Sequence, residues 1–167
     1  ITHRILELLS GTDLPTEPDA RIRQWIRGGL QQTSLTPDAM NTVEEHCLHL
    51  LSNTLSCKTG RWILSAHPEA QSELALSRME SGELKGYVID RTFVDSETGF
   101  RWIIDYKTSA PLVDESLDSF TAREHAHYRE QLRNYAELLA EQTGAEPHAA
   151  IKTALYFPSI KMLSLTP

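Results

Sequence analysis

Cysteine is nearly absent from this chain. Cys47 and Cys57 are the only two, too few for a disulfide framework, so reduced thiols in a cytoplasmic protein are expected. Long apolar runs are missing as well: nothing approaches the roughly 20 residues a membrane-spanning helix needs, and no charged-then-apolar leader opens the chain. Positive charge is in deficit, with 16 Lys and Arg against 23 Asp and Glu and a net charge of -7. That balance argues against a free-standing grip on polyanions, which normally shows as a basic face. An initiator methionine is lacking too, and the chain starts inside a stretch of helical pattern, Ile1 to Leu9, as expected of a piece cut from a longer protein.

What is present is a hydrophobic content of 40% over 167 residues, enough to bury one sizeable core, so a single domain over residues 1–167 is the default. The stretch from Gly86 to Arg91 and that from Trp102 to Thr108 place two carboxylates and a lysine inside runs otherwise rich in β-formers. Between them Ser96-Glu97-Thr98-Gly99 is a polar turn, which predicts an antiparallel hairpin. If Asp95 faces Phe100 at its mouth, counting back puts Asp90 opposite Asp105, with Cβ atoms roughly 4.5–5.5 Å apart. Alternation then gives one face Val88, Asp90, Thr92, Ile103, Asp105 and Lys107, and the other Tyr87, Ile89, Arg91, Phe93, Phe100, Trp102, Ile104 and Tyr106. The second face is patterned to pack on a core, the first to carry chemistry.

Two like charges about 4 Å apart repel by roughly 4 kcal/mol at an effective dielectric of 20, so the Asp90/Asp105 pair holds a proton or a cation. Hard carboxylate oxygens suit Mg²⁺ or Mn²⁺, and a lysine alongside suits the orientation of a water or the charge of a phosphate. The competing reading makes Asp105 and Lys107 a mere same-face ion pair beside an unrelated Asp90; the facing acid and the apolar opposite face weigh against it.

Elsewhere the pattern predicts scaffold. A helix runs from Asp19 to Arg27 and is stopped by Gly28-Gly29; another starts at the Thr36 cap and Pro37. His46, Cys47 and His49 crowd one helical turn and cannot all face a tetrahedral ion. Arg61 to Leu64 leads to a loop at Pro68, and Ser72 to Ser77 alternates as a strand. Residues 112–120 form an acidic loop, with Asp114, Glu115 and Asp118, placed to gate entry to the dyad. Residues 122–141 form the strongest helical pattern, on which Gln131 and Tyr135 share a face and Arg123, Arg129 and Arg133 recur as possible phosphate contacts. Two strands close the chain, Ala149 to Phe157 and Ile160 to Leu165.

Gly-Tyr-Val-Ile-Asp-Arg at 86–91, Ile-Ile-Asp-Tyr-Lys-Thr-Ser at 103–109 and Gln-Leu-Arg-Asn-Tyr at 131–135 together resemble the PD-(D/E)XK nucleases. The resemblance is to the RecB-like branch at the C-terminus of UvrD/Rep-type and AddAB-type helicases, and it runs through much of the chain. It implies an α/β restriction-endonuclease-like fold, a mixed sheet flanked by helices. It also implies a DNase, exonucleolytic and serving a helicase in double-strand break repair and recombination. Asp90, Asp105, His3 and the Tyr106 backbone carbonyl would hold Mg²⁺ or Mn²⁺, and Lys107 would position or activate water. Gln131 would contact substrate or orient the lysine, and Tyr135 would line the path of the strand. Glu73 matches the family's acidic strand residue in part. His3-Arg-Ile-Leu-Glu resembles the end of a Gly-Thr-x-x-His-x-x-Leu-Glu helix whose glycine is missing here. With no cysteine after Tyr135, the iron-sulfur cluster of some relatives cannot form. Single-stranded DNA would be delivered by covalently linked upstream helicase domains, which answers the unfavourable net charge. An inert DNA-guiding module and a stand-alone endonuclease are the alternatives.

Overall fold

The computed structural model describes residues 1–144 and 151–166. Its chain divides into two compact units, one formed by Ile1–Ala66 with Phe157–Met162 and the other by His67–Tyr156 with Leu163–Pro167.

The first unit is helical. Helix α1 (Thr2–Leu9), α2 (Ala20–Leu30), α3 (Pro37–Ser56) and α4 (Lys58–Leu64) follow one another, and Ile5, Leu6, Leu9, Ile22, Ile26, Leu30, Leu50, Leu51 and Leu55 form their shared core. The caps are those the sequence announces: Asp19 accepts the Ile22 N–H at 2.9 Å and Thr36 the Ala39 N–H at 3.4 Å. One expectation needs correction here. Gly28-Gly29 does not stop α2, which continues to Leu30 because that leucine is buried. The segment Arg61 to Leu64 closes helix α4, which is launched by Cys57, whose sulfur accepts the Gly60 N–H at 3.1 Å. Arg61 in this helix donates to the carbonyls of Leu14 and Pro15 at 3.1 and 2.8 Å, pinning the loop before α2. Cys47 is buried and accepts a bond from Thr2 Oγ1 at 3.5 Å, and the His46/Cys47/His49 group holds no metal geometry.

The second unit is built on a five-stranded mixed sheet in the order β1 (Gln71–Glu80), β2 (Glu83–Val94), β3 (Arg101–Tyr106), β4 (Ile151–Phe157), β5 (Met162–Leu165). A residue pair in the left-handed region, Ser81-Gly82, turns β1 into β2, as a two-residue hairpin loop requires. Gly99, at φ 72°, does the same for the loop into β3, where the Asp95 N–H bonds the Phe100 carbonyl at 2.9 Å. Strand β4 lies parallel to β3, which demands a crossover, and the long helix α5 (Leu117–Thr143) supplies it. This is the α/β class with a mixed sheet that the sequence predicts. A short 3₁₀ turn, Pro158–Ile160, separates β4 from β5; the expected strand start at Ala149-Ala150 lies outside the described residues. Among the described residues no helix is long and apolar enough to cross a membrane.

Helix α5 begins five residues before the expected start, with Ser116 accepting the Ser119 N–H at 3.2 Å. Residues 117–120 are therefore helix rather than acidic loop, and Asp118 sits in the favourable first turn. What remains of the loop is tied down: Glu115 holds the Arg123 guanidinium at 3.0 Å and accepts the Leu112 N–H at 2.9 Å.

Candidate active site

The register of the central hairpin follows from its loop. Arg91 pairs with Ile104 and Thr92 with Ile103, so Asp90 and Asp105 come next on the two strands, across from one another. There the ladder ends. The Asp90 carboxylate takes the place of a backbone carbonyl, its Oδ2 accepting the Tyr106 N–H at 2.7 Å, while the Lys107 N–H turns the other way to the Tyr156 carbonyl at 2.9 Å. In an extended strand the N–H and C=O of one residue lie on the same edge, so the Tyr106 carbonyl is on the edge that faces β2 and Asp90.

Lys107 leaves the strand but its side chain folds back, placing Nζ 2.5 Å from Asp105 Oδ2 with the two side chains only 15% and 3% exposed. The other oxygen of Asp105 is held from α5: Gln131 Nε2 donates to Asp105 Oδ1 at 3.0 Å and to the Tyr135 hydroxyl at 2.7 Å. Both amide protons of Gln131 are thus committed, to an acid and a phenol rather than to the lysine. The lysine is met instead by Tyr128, whose ring centroid lies 3.7 Å from Nζ. Tyr87 closes on Tyr135 edge to face, ring centroids 6.4 Å apart.

A third acid stands in the same row. Ser72 pairs with Arg91 and Leu74 with Ile89, which sets Glu73 of β1 across β2's backbone from Asp90. Glu73 is solvent-exposed and occupies the left-handed region at φ 50°, sparsely used by non-glycine residues. The row Glu73, Asp90, Asp105 crosses three adjacent strands. Burial pushes the Asp90 carboxyl up to about 7, with Asp105 and more weakly Glu73 adding to the rise against the Tyr106 hydrogen bond and Lys107. Burial likewise pushes the Tyr135 phenol up to about 12, opposed by the Gln131 hydrogen bond and reinforced by Asp105, Asp90 and Glu73.

The division into a working face and a packed face is not observed. Thr92, Ile103 and Asp105 are as inaccessible as Ile89, Phe93 and Ile104, because α5 lies over the acidic face and brings Gln131 and Tyr135 onto it. The lone charge expected on the packed face, Arg91, is 3% exposed and donates to Ser72 Oγ at 3.1 Å. Arg123 does not offer a free guanidinium to phosphate either, being engaged by Glu115 and Glu124. His3 stands in α1, in the unit that does not carry the dyad.

The donor set suits a cation. Two carboxylates on facing strands raise each other's affinity for positive charge, and an ammonium already sits on one of them. Among the described residues, however, no three His, Cys, Asp or Glu side chains gather as a ready metal cluster, so the fit is that of a two-carboxylate site with a backbone carbonyl on the adjoining edge.

The PD-(D/E)XK nuclease superfamily model matches residues 1–163, nearly the whole chain and both units. The chain belongs to this superfamily. No curated protein matches it closely enough to add a relative. Membership implies metal-dependent nuclease chemistry and a DNA substrate. Tyr128 is the residue the sequence pattern did not single out. Its signal was available, since 128, 131 and 135 fall three and four apart on one helical face.

Proposed function

We propose that the chain is a Mg²⁺- or Mn²⁺-dependent deoxyribonuclease that hydrolyses phosphodiester bonds exonucleolytically. It would act as the nuclease domain of a longer helicase-nuclease in double-strand break repair and recombination. The observation that carries the chemistry is the register that faces Asp90 with Asp105 while Lys107 sits on Asp105. Asp90, Asp105 and the Tyr106 carbonyl would hold the cation, with His3 as a further ligand proposed from its motif. A divalent ion held there supplies positive charge to the phosphate oxygens and acidifies water.

The chain's own residues do the rest. The Gln131 amide fixes the Asp105 carboxylate in its plane, and a carboxylate acceptor requires that Nε2 be the atom turned to it. Tyr135 accepts from Gln131 and keeps its own proton, since its phenol ionises only near 12. That leaves an O–H to donate toward a substrate oxygen. Lys107 carries a fixed ammonium beside the dyad, suited to orient water and to meet charge on phosphate. Glu73, exposed and close enough to raise Asp90, is placed to hold a water or a second cation at the rim. Single-stranded DNA fed by a linked motor is the proposed substrate, given the net charge of -7.

The test is cleavage of end-labelled single- and double-stranded DNA with Mg²⁺ or Mn²⁺, comparing the protein with Lys107→Ala. Loss of cutting by orders of magnitude is expected, with Mn²⁺ binding retained. Equal cutting would take Lys107 out of the reaction, and an absence of both cutting and Mn²⁺ heat would favour an inert DNA-guiding module.

A further inference from the structure

Lys107 poses a problem that the dyad alone does not solve. Its ammonium is 2.5 Å from Asp105 Oδ2, the oxygen that a cation on the dyad would claim. Once positive charge settles on Asp105, the attraction that seats the ammonium is cancelled and becomes repulsion. A lysine on a four-carbon stem would then swing away, yet the proposed chemistry needs it beside the site.

A second seat is present. The Tyr128 ring lies 3.7 Å from Nζ, measured to its centroid, well within the range in which an aromatic face attracts an ammonium. The ring is half-buried, and Lys107 is only 15% exposed, so the contact is shielded from water, where such attraction is stronger. Tyr128 is fixed from the same helix face as Gln131 and Tyr135, so one rigid element holds both Asp105 and the amine. Unlike Asp105, a ring quadrupole is not neutralised when a metal binds.

We propose that Tyr128 is a positioning residue whose ring face holds the Lys107 ammonium at the dyad independently of Asp105, keeping the amine in place when a divalent cation takes that carboxylate. The assignment rests on the nuclease reading for its purpose but not for its geometry. It predicts that without the ring the amine leaves once metal binds, so the cation no longer meets its repulsion.

Two readouts test it. With lysine labelled at Cε, the Lys107 signal, identified by its loss in Lys107→Arg, should show an upfield ring-current shift that persists at saturating Mg²⁺. Tyr128→Phe should keep that shift and Tyr128→Leu should lose it. By calorimetry, Tyr128→Leu should tighten Mn²⁺ binding about three- to tenfold, Tyr128→Phe should not, and in a Lys107→Ala background Tyr128→Leu should have no effect. The proposal is overturned if Tyr128→Leu leaves Mn²⁺ binding unchanged or weaker, if Phe acts as Leu does, or if the Leu effect is undiminished without the lysine. A protein that shows the shift and the metal coupling but cuts no DNA would remove the nuclease reading and leave this assignment standing.

Discussion

Asp90 Oδ2 accepts the Tyr106 N–H at 2.7 Å, a side chain standing in for the strand that should be there. This one bond lets β3, paired with β4 along its whole length, outrun its ladder with β2 without leaving the Tyr106 donor unpaired, and it fixes the acid that faces Asp105.

Charge and bond can therefore be separated at position 90. Asp90→Asn keeps an oxygen acceptor for the Tyr106 N–H and removes the repulsion, so the metal-free variant should melt at or above the parent's temperature while losing Mn²⁺ binding. Asp90→Ala leaves the donor unsatisfied and should be destabilised by about 1–3 kcal/mol in urea unfolding. Equal stability of the two variants would show that the bond contributes nothing.

The same acid sets a pH dependence. Its carboxyl ionises near 7 in the folded state against a reference of 3.8, so between those values the folded state binds the extra proton and stability falls as pH rises. In chelator, the unfolding free energy should decline from about pH 4 to pH 7, by an amount on the order of a few kcal/mol at most, and the melting temperature should fall with it. Saturating Mg²⁺ or Asp90→Asn should flatten the decline. A profile that rises across this window would contradict the assignment.

Removing Lys107 exposes the other half of the pair. Asp105 is 2% exposed, and Lys107→Met should destabilise the metal-free protein by about 2–3 kcal/mol by leaving a buried carboxylate with less compensation. Adding Asp105→Asn to that variant should recover most of the loss. Thermal denaturation of the three proteins in chelator measures both steps.

Glu124 anchors the segment after the lysine. It is 4% exposed, accepts the Ser109 hydroxyl at 2.8 Å and pairs with Arg123. Glu124→Ala should cost about 1–3 kcal/mol and should open residues 109–116 to limited proteolysis at least several-fold faster. Unchanged cleavage would mean that the Arg123–Glu115 tie suffices.

Much of this arrangement is written locally in the sequence. The hairpin register was legible because Gly99 and the loop length fix it, and the distance from Asp95 to Asp90 is then arithmetic. The reach of α5 was not, since Leu117, Asp118 and Ser119 show no apolar period and only the Ser116 cap marks the start. Nor was the continuation of α2 through two glycines, which Leu30 compels by being buried at the far end. The covering of Thr92 and Ile103 depends on a helix arriving from outside the hairpin, and no alternation rule can anticipate that. Tyr128 shares the face of Gln131 and Tyr135, but its partner is a lysine on another element, which helical spacing alone does not show.

Strand order also bears on kinetics. The strands that carry Glu73, Asp90 and Asp105 are joined by short turns, whereas β4 waits for the whole of α5 before it can pair beside β3. Local ribbons assemble ahead of distant ones, so Asp90 and Asp105 face each other before Gln131 and Tyr128 arrive to steady the site. Refolding should accordingly run faster when a divalent ion is present from the start than in chelator.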